Sequence, residues 1–305
     1  AVDQHLAGCP HCTREMAQLR VFMSAPAQEP ARESSMLEQV REHVRVLVAH
    51  LAPTGAGLAP AMTGIRGEER ESLHYQVGGV EVVIDKQIPV GAGLAGGSAN
   101  AAAVLVGVDL LWQLGLTQIE LQELGAQLGS DIPFCIAGGL AIATGRGEKV
   151  APLPGTTALH VVLAKHRSIR VPTGWAYQTF RAQFGDRYLA TADATVLDER
   201  WRQVHSGDLA RALAQGDIGA IGAQLHNDFE KIVFPTYPAV EKLRNCMAEV
   251  STIGAMMSGS GPTVFALATS AAEAAAIKTH AQGVMADPDI DFWVTEFAPS
   301  GVQLS

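Results

Sequence analysis

The chain has 305 residues, 48% hydrophobic and 17% charged, enough apolar material for two sizeable cores, which excludes a disordered or fibrous polymer. Acidic residues outnumber basic ones by 31 to 22, and the net charge of −9 argues against a nucleic-acid partner while leaving local phosphate binding open. Apolar runs such as Ala101 to Val108 stop short of the roughly 20 residues of a membrane helix, no basic segment leads into an apolar one at the front, and four scattered cysteines suit a reducing compartment. The expectation is a cytoplasmic protein that acts on small molecules, with no membrane partner.

The first 72 residues are short pieces punctuated by Pro and Gly, with no lysine before Lys86, so a boundary is expected near 72. His5, Cys9 and Cys12 are three zinc-type ligands, where a tetrahedral structural site takes four; zinc and two free cysteines both remain open readings. Between Ser34 and Leu51, Met36, Leu37, Val40, Val44, Leu47, Val48 and Leu51 recur at helical intervals and predict an amphipathic helix. Residues 53–67 read as a linker. The β-rich stretches Leu73 to Val77 and Val80 to Ile84 flank Gly78-Gly79, a hairpin signal.

Next comes PVGAGLAGGSAN, Pro89 to Asn100, followed by the apolar run Ala101 to Leu114. This reads as a glycine loop leading into a helix, with Ser98 capping its start and Gly115 beyond its end. Such a loop aims backbone N–H groups and the positive helix end at one point, an anion site. Glycine matters there because a residue without Cβ lets the backbone approach a phosphate and take positive φ. The loop lacks the lysine of a Walker A motif. Gly91, Gly93 and Gly96 match a dinucleotide fingerprint in spacing but not in context, since Pro89 precedes them and no βαβ pattern follows.

Thr117 and Glu120 have capping-box spacing and predict a helix over Gln118 to Leu128. Asp131 then stands at an element boundary, ahead of an apolar, strand-like run through Ala143. It is either a helix-end cap or a functional carboxylate. Leu159 to Ala164 reads as a strand opening a second domain, with helices expected over 192–204 and 208–225. Met256 to Gly261 is a second small-residue loop, followed by a strand over Thr263 to Leu267 and a helix capped by Ser270 with Glu273. Cys135, within an apolar run, reads as a small buried hydrophobe, and Cys246 falls on a helical stretch with no nearby partner. His160, His166 and His226 lack metal-ligand spacing and are expected on the surface or at caps. Tyr177 is expected to pack.

The string Ile88-Pro89-Val90-Gly91-Ala92-Gly93-Leu94-Ala95-Gly96-Gly97-Ser98-Ala99-Asn100 resembles the phosphate loop of the GHMP kinases. Leu128-Gly129-Ser130-Asp131-Ile132-Pro133-Phe134, Gly145-Arg146-Gly147-Glu148, Asn227-Asp228-Phe229-Glu230, Phe234-Pro235-Thr236-Tyr237-Pro238 and Met257-Ser258-Gly259-Ser260-Gly261 follow in that family's order. They look like the branch that phosphorylates a cytidyl-diphosphate-linked methylerythritol in non-mevalonate isoprenoid synthesis. The resemblance implies an α+β fold of two domains: a truncated, ribosomal S5 domain 2-like front domain over 73–156 and a ferredoxin-like domain over 157–305, preceded by a small helical segment over 1–72. It implies ATP and Mg2+, Asp131 as the catalytic base, phosphate contacts from residues 89–99 and from Ser258, Gly259, Ser260 and Gly261, and Thr173, after Val171-Pro172, near the small-molecule substrate.

The front departs from that family. Its leading Pro-Ala-Lys-Ile-Asn-Leu and Pro-Asp-Gly-Tyr-His segments, which carry a second catalytic residue, a lysine, have no counterpart here. The expectation is a kinase body whose transfer chemistry lacks one cation. His5-x3-Cys9-x2-Cys12 instead resembles the zinc motif of bacterial anti-sigma factors. That second resemblance implies Zn2+ and a sigma-factor partner for a regulatory protein carrying an inactive kinase body.

Overall fold

The computed structural model describes residues 72–77, 80–154, 159–185, 199 and 202–303. His5, Cys9, Cys12 and the helix expected over 34–51 lie outside the described residues. The chain divides into two compact units, one of residues 1–86 with 112–114, the other of 87–111 with 115–305. In the first, β1 (Ser72–Val77) and β2 (Val80–Asp85) pair antiparallel with Val77 opposite Val80, the hairpin that Gly78-Gly79 predicts.

The second unit begins with the glycine loop and α1 (Gly96–Trp112), all but the last residue of that helix. The helix starts three residues earlier than expected. Ala95 O already accepts from Ala99 N at 2.9 Å, so Ala95 holds the cap position and Ser98 lies inside the first turn, a correction to its expected capping role. At the far end Asp109, buried in α1, accepts from Leu116 N at 3.0 Å. α2 (Gln118–Leu128) carries the expected capping box, with Thr117 Oγ1 accepting from Glu120 N and Glu120 accepting from Thr117 N.

The apolar run after Asp131 is not a strand: residues 132–137 form a short helix, α3 (Ile132–Ala137). Pro133 explains the correction, because a first helical turn tolerates a missing N–H and a central strand does not. Gly138 (φ 64°) and Gly139 (φ 66°) turn the chain out of the helix. A Cβ on Gly138 would lie 1.8 Å from Gly301 N, because the chain's last described segment crosses there and Gly301 N donates to Ala137 O at 3.2 Å. β3 (Ala141–Thr144) and β4 (Lys149–Pro152) follow as an antiparallel hairpin.

The remainder consists of β5 (His160–His166), α4 (Thr173–Phe184), α5 (Asp208–Gln215), α6 (Ile218–Ala223), α7 (Glu230–Thr236), α8 (Pro238–Ala248), β6 (Gly254–Met257), β7 (Val264–Ala268), α9 (Ala271–Met285) and β8 (Ile290–Glu296). The four strands form one sheet in the order β6-β7-β5-β8 with every pair antiparallel. That order, with helices between β5 and β6 and between β7 and β8, is the β-α-β-β-α-β arrangement of a ferredoxin-like domain. The alternation of strand side chains assigns the faces. Val162 and Ala164 of β5 and Val264, Ala266 and Ala268 of β7 meet Val240, Leu243 and Met247 of α8 and Ala274, Ile277 and Ala281 of α9. Val161 and Leu267 point the other way, to Ala212 and Ile221. The helix expected over 208–225 is two helices, because Gly216 takes φ 66° and ends α5. His166 is corrected as well. It is 3% exposed rather than on the surface, and burial pushes its pKa down. Among the described residues no helix is long and apolar enough to cross a membrane.

Candidate active site

The glycine loop divides into two sides. Ala92 and Gly93 face the second small-residue loop: Thr263 N donates to Ala92 O at 3.3 Å, and Ser258 Oγ donates to Gly93 O at 2.8 Å. A Cβ on Gly93 would sit 2.5 Å from Ser258 O and 2.9 Å from Gly261 O, so this position is glycine because backbone packs on it. Gly91 (φ 63°) and Gly97 are the reverse case. An added Cβ at either would meet nothing within 4 Å, and both are exposed. Gly97 lies in the first turn of the 17-residue α1, where N–H groups without an intrahelical acceptor and the helix dipole favour an anion. Open backbone in front of that helix end is a cradle that a phosphate fits.

The second loop is stiffly held. Ser258 N donates to Thr263 O and Gly261 N to Ser258 O, both at 2.8 Å. Gly259 takes φ 54° and Gly261 φ 81°. Behind the loop, Asn227 Nδ2 donates to Met257 O at 2.7 Å and Gly259 O at 2.8 Å, while Glu230 Oε1 accepts from Met257 N at 2.8 Å. Arg244 pairs with Glu230 at 3.7 Å and lies 5.2 Å from the Phe234 ring. Sequence reasoning assigned no role to Asn227, Glu230 or Arg244. Asn227 and Glu230 meet Met257 about 30 residues away in the chain, and Arg244 meets Glu230 across 14 residues, beyond any local periodicity. Asp228, between them, pairs instead with Lys231 and His226, and its pKa is lowered, mainly by the Lys231 hydrogen bond.

Ser260, 8% exposed, brings in the expected substrate residue: its Oγ is 3.2 Å from Thr173 Oγ1 at the start of α4. Tyr177 packs by its ring edge against Phe229, 4.8 Å between centroids. Asp131 stands at the N-terminal boundary of α3 but makes no cap hydrogen bond with its side chain, and it is exposed. The helix-cap reading therefore does not account for it. The turn between β3 and β4 comes beside it, where a Cβ on Gly147 would lie 3.6 Å from Asp131 Oδ1. Cys135, one turn on, is half-buried, and burial together with the Asp131 carboxylate pushes its thiol up to about 11. It stays protonated and is no nucleophile. Among the described residues no group of three or more His, Cys, Asp or Glu side chains could hold a metal ion.

Family models for the GHMP kinases N terminal domain and the GHMP kinases C terminal match residues 65–139 and 209–287. The first spans the glycine loop and Asp131, the second Asn227 and the second loop. The chain belongs to the GHMP kinase family. A 4-diphosphocytidyl-2-C-methyl-D-erythritol kinase of Cyanothece sp. is 54% identical over 226 residues, 74% of this chain and 69% of the relative. The enzyme of that name from Trichodesmium erythraeum is 46% identical over 248 residues, 81% of this chain and 78% of the relative. A solved 4-(cytidine 5'-diphospho)-2C-methyl-D-erythritol kinase aligns with a TM-score of 0.53 at 25% identity, over 88% of this chain and 80% of that one. The homoserine kinase of Cytophaga hutchinsonii shares the fold, with a TM-score of 0.54 at 21% identity over 71% and 69% of the two chains.

Proposed function

We propose that this chain transfers the γ-phosphoryl group of ATP to a hydroxyl of 4-diphosphocytidyl-2-C-methyl-D-erythritol, the substrate for which its relatives are named, in non-mevalonate isoprenoid synthesis. The observation that carries the reading is the pair of backbone loops clasped at Gly93, with Gly91 and Gly97 left open at the start of α1. Backbone N–H groups there hold the phosphates, and Ser258 to Gly261 close on them through the Ser258 bond to Gly93 O. Asp131, whose exposed carboxylate makes no helix-cap hydrogen bond, takes the proton of the substrate hydroxyl. That oxygen bonds to the γ-phosphorus while the bond to the β–γ bridging oxygen breaks and ADP leaves. Mg2+, when it arrives with ATP, neutralises phosphate charge. Thr173, bonded to Ser260, lies on the substrate side.

The test is ATP-dependent phosphorylation of that substrate by the purified chain beside Asp131→Asn. Turnover abolished in the variant supports the reading. Turnover equal in both proteins refutes Asp131 as the base, and binding of ATP without any turnover refutes the activity.

A further inference from the structure

We infer that Asn227 is a positioning residue of the phosphate cradle, setting the direction in which the second loop presents its free backbone N–H groups. The inference rests on the reading of the two loops as a phosphate site. Asn227 spends its whole side-chain amide locally. Both Nδ2 protons go to loop carbonyls, Met257 O and Gly259 O, at 2.7 and 2.8 Å, and Oδ1 accepts from Phe229 N at 2.9 Å. Two acceptors on one side and a donor on the other leave one possible orientation for the amide.

The consequence follows from peptide geometry. In a trans peptide the C=O and the following N–H point in opposite directions. Drawing Met257 O toward Asn227 therefore turns Ser258 N–H away from it, where it donates to Thr263 O at 2.8 Å and closes the loop's base. Drawing Gly259 O toward Asn227 turns Ser260 N–H away in the same manner, and that N–H has no acceptor among the described hydrogen bonds. Glu230 takes the third backbone group, Met257 N, and is held by Arg244. The loop so fixed bonds through Ser258 Oγ to Gly93 O. Asn227 thus acts on the anion site through two carbonyls without touching the ligand.

The test measures ATP·Mg binding to the full chain by calorimetry, from about pH 8 down to about pH 5.5. Asn227→Asp preserves size but sets a carboxylate against two carbonyl oxygens. The expected result is roughly tenfold or weaker binding than wild type at the upper pH. The ratio to wild type should narrow as the pH falls, because a protonated carboxyl regains one donor. Taking the ratio at each pH removes the titration of ATP itself, and a residue that only stabilised the fold would give no such recovery. Asn227→Ala, which cannot recover a donor, should stay weak throughout. Wild-type affinity in either variant, a ratio for Asn227→Asp that ignores pH, or loss of folding in both variants overturns the assignment. Wild-type protein that does not bind ATP·Mg would instead overturn the phosphate reading beneath it.

Discussion

Three glycines of one loop make separable predictions. Gly93→Ala must place a Cβ 2.5 Å from Ser258 O and 2.9 Å from Gly261 O, at φ 72°. A left-handed backbone costs an alanine about 1–2 kcal/mol, and overpacking against backbone adds about 1–3 kcal/mol. The expected loss is therefore about 2–5 kcal/mol of unfolding free energy, or a loop pair forced apart. Gly91→Ala, at φ 63° with nothing within 4 Å, carries only the conformational part, about 1–2 kcal/mol. Gly97→Asp should move the two readouts in opposite directions. A carboxylate in the first turn of α1 favours the helix by about 0.3–1 kcal/mol, yet it fills the open side with a negative charge and should abolish ATP·Mg binding. Urea unfolding gives the stabilities and calorimetry the affinities. Gly93→Ala within about 0.5 kcal/mol of wild type, or Gly97→Asp binding ATP normally, would refute the division of the loop into a packed side and a phosphate side.

Other consequences are local. Gly138→Ala would drive a Cβ to 1.8 Å from Gly301 N at φ 64°, so denaturation should show a loss of about 2–5 kcal/mol, with looser packing of residues 299–301 visible as faster amide exchange near Ala137. Ala95 holds φ 50° at the helix cap; Ala95→Gly should stabilise by about 0.5–1 kcal/mol, the relieved strain exceeding glycine's entropic cost, as read from the unfolding midpoint. Burial pushes the Glu273 carboxyl up, but hydroxyls and N–H groups of Thr252 and Thr269 outweigh it and bring it down to about 2. A depressed carboxylate stabilises above its unfolded value of 4.5 and loses that contribution as the pH falls toward 2. Glu273→Gln should therefore cost about 1 kcal/mol at neutral pH, after allowance for solvent screening, and the gap should close in acid denaturation below pH 4.5.

Where a signal is local, it was legible in the chain. Gly78-Gly79 marked a hairpin, Thr117 with Glu120 a capping box, and Ser270 with Glu273 another cap, whose hydroxyl accepts from Glu273 N. Short apolar runs were ambiguous, as with residues 132–137, since six residues show too little periodicity to separate helix from buried strand. Glycine density marked the loop over residues 89–100, but it did not divide the roles among its members. Gly93 and Gly97 look alike in a string of letters. The partner that forbids a Cβ on Gly93 lies 165 residues away, and nothing lies over Gly97.

The same ambiguity governs what a glycine-rich motif can say about binding. Lack of a Cβ serves a neighbouring backbone at Gly93 and Gly138, and serves open space at Gly91 and Gly97. Only the second kind is available to a ligand. In this chain the two kinds alternate between Gly91 and Gly97, and the packed Gly93 joins its loop to a second loop that Asn227 and Glu230 brace from behind. A substitution on the packed side therefore reaches the ligand only by moving the second loop, and should weaken ATP binding in proportion to lost stability. On the open side, binding and stability should be uncorrelated.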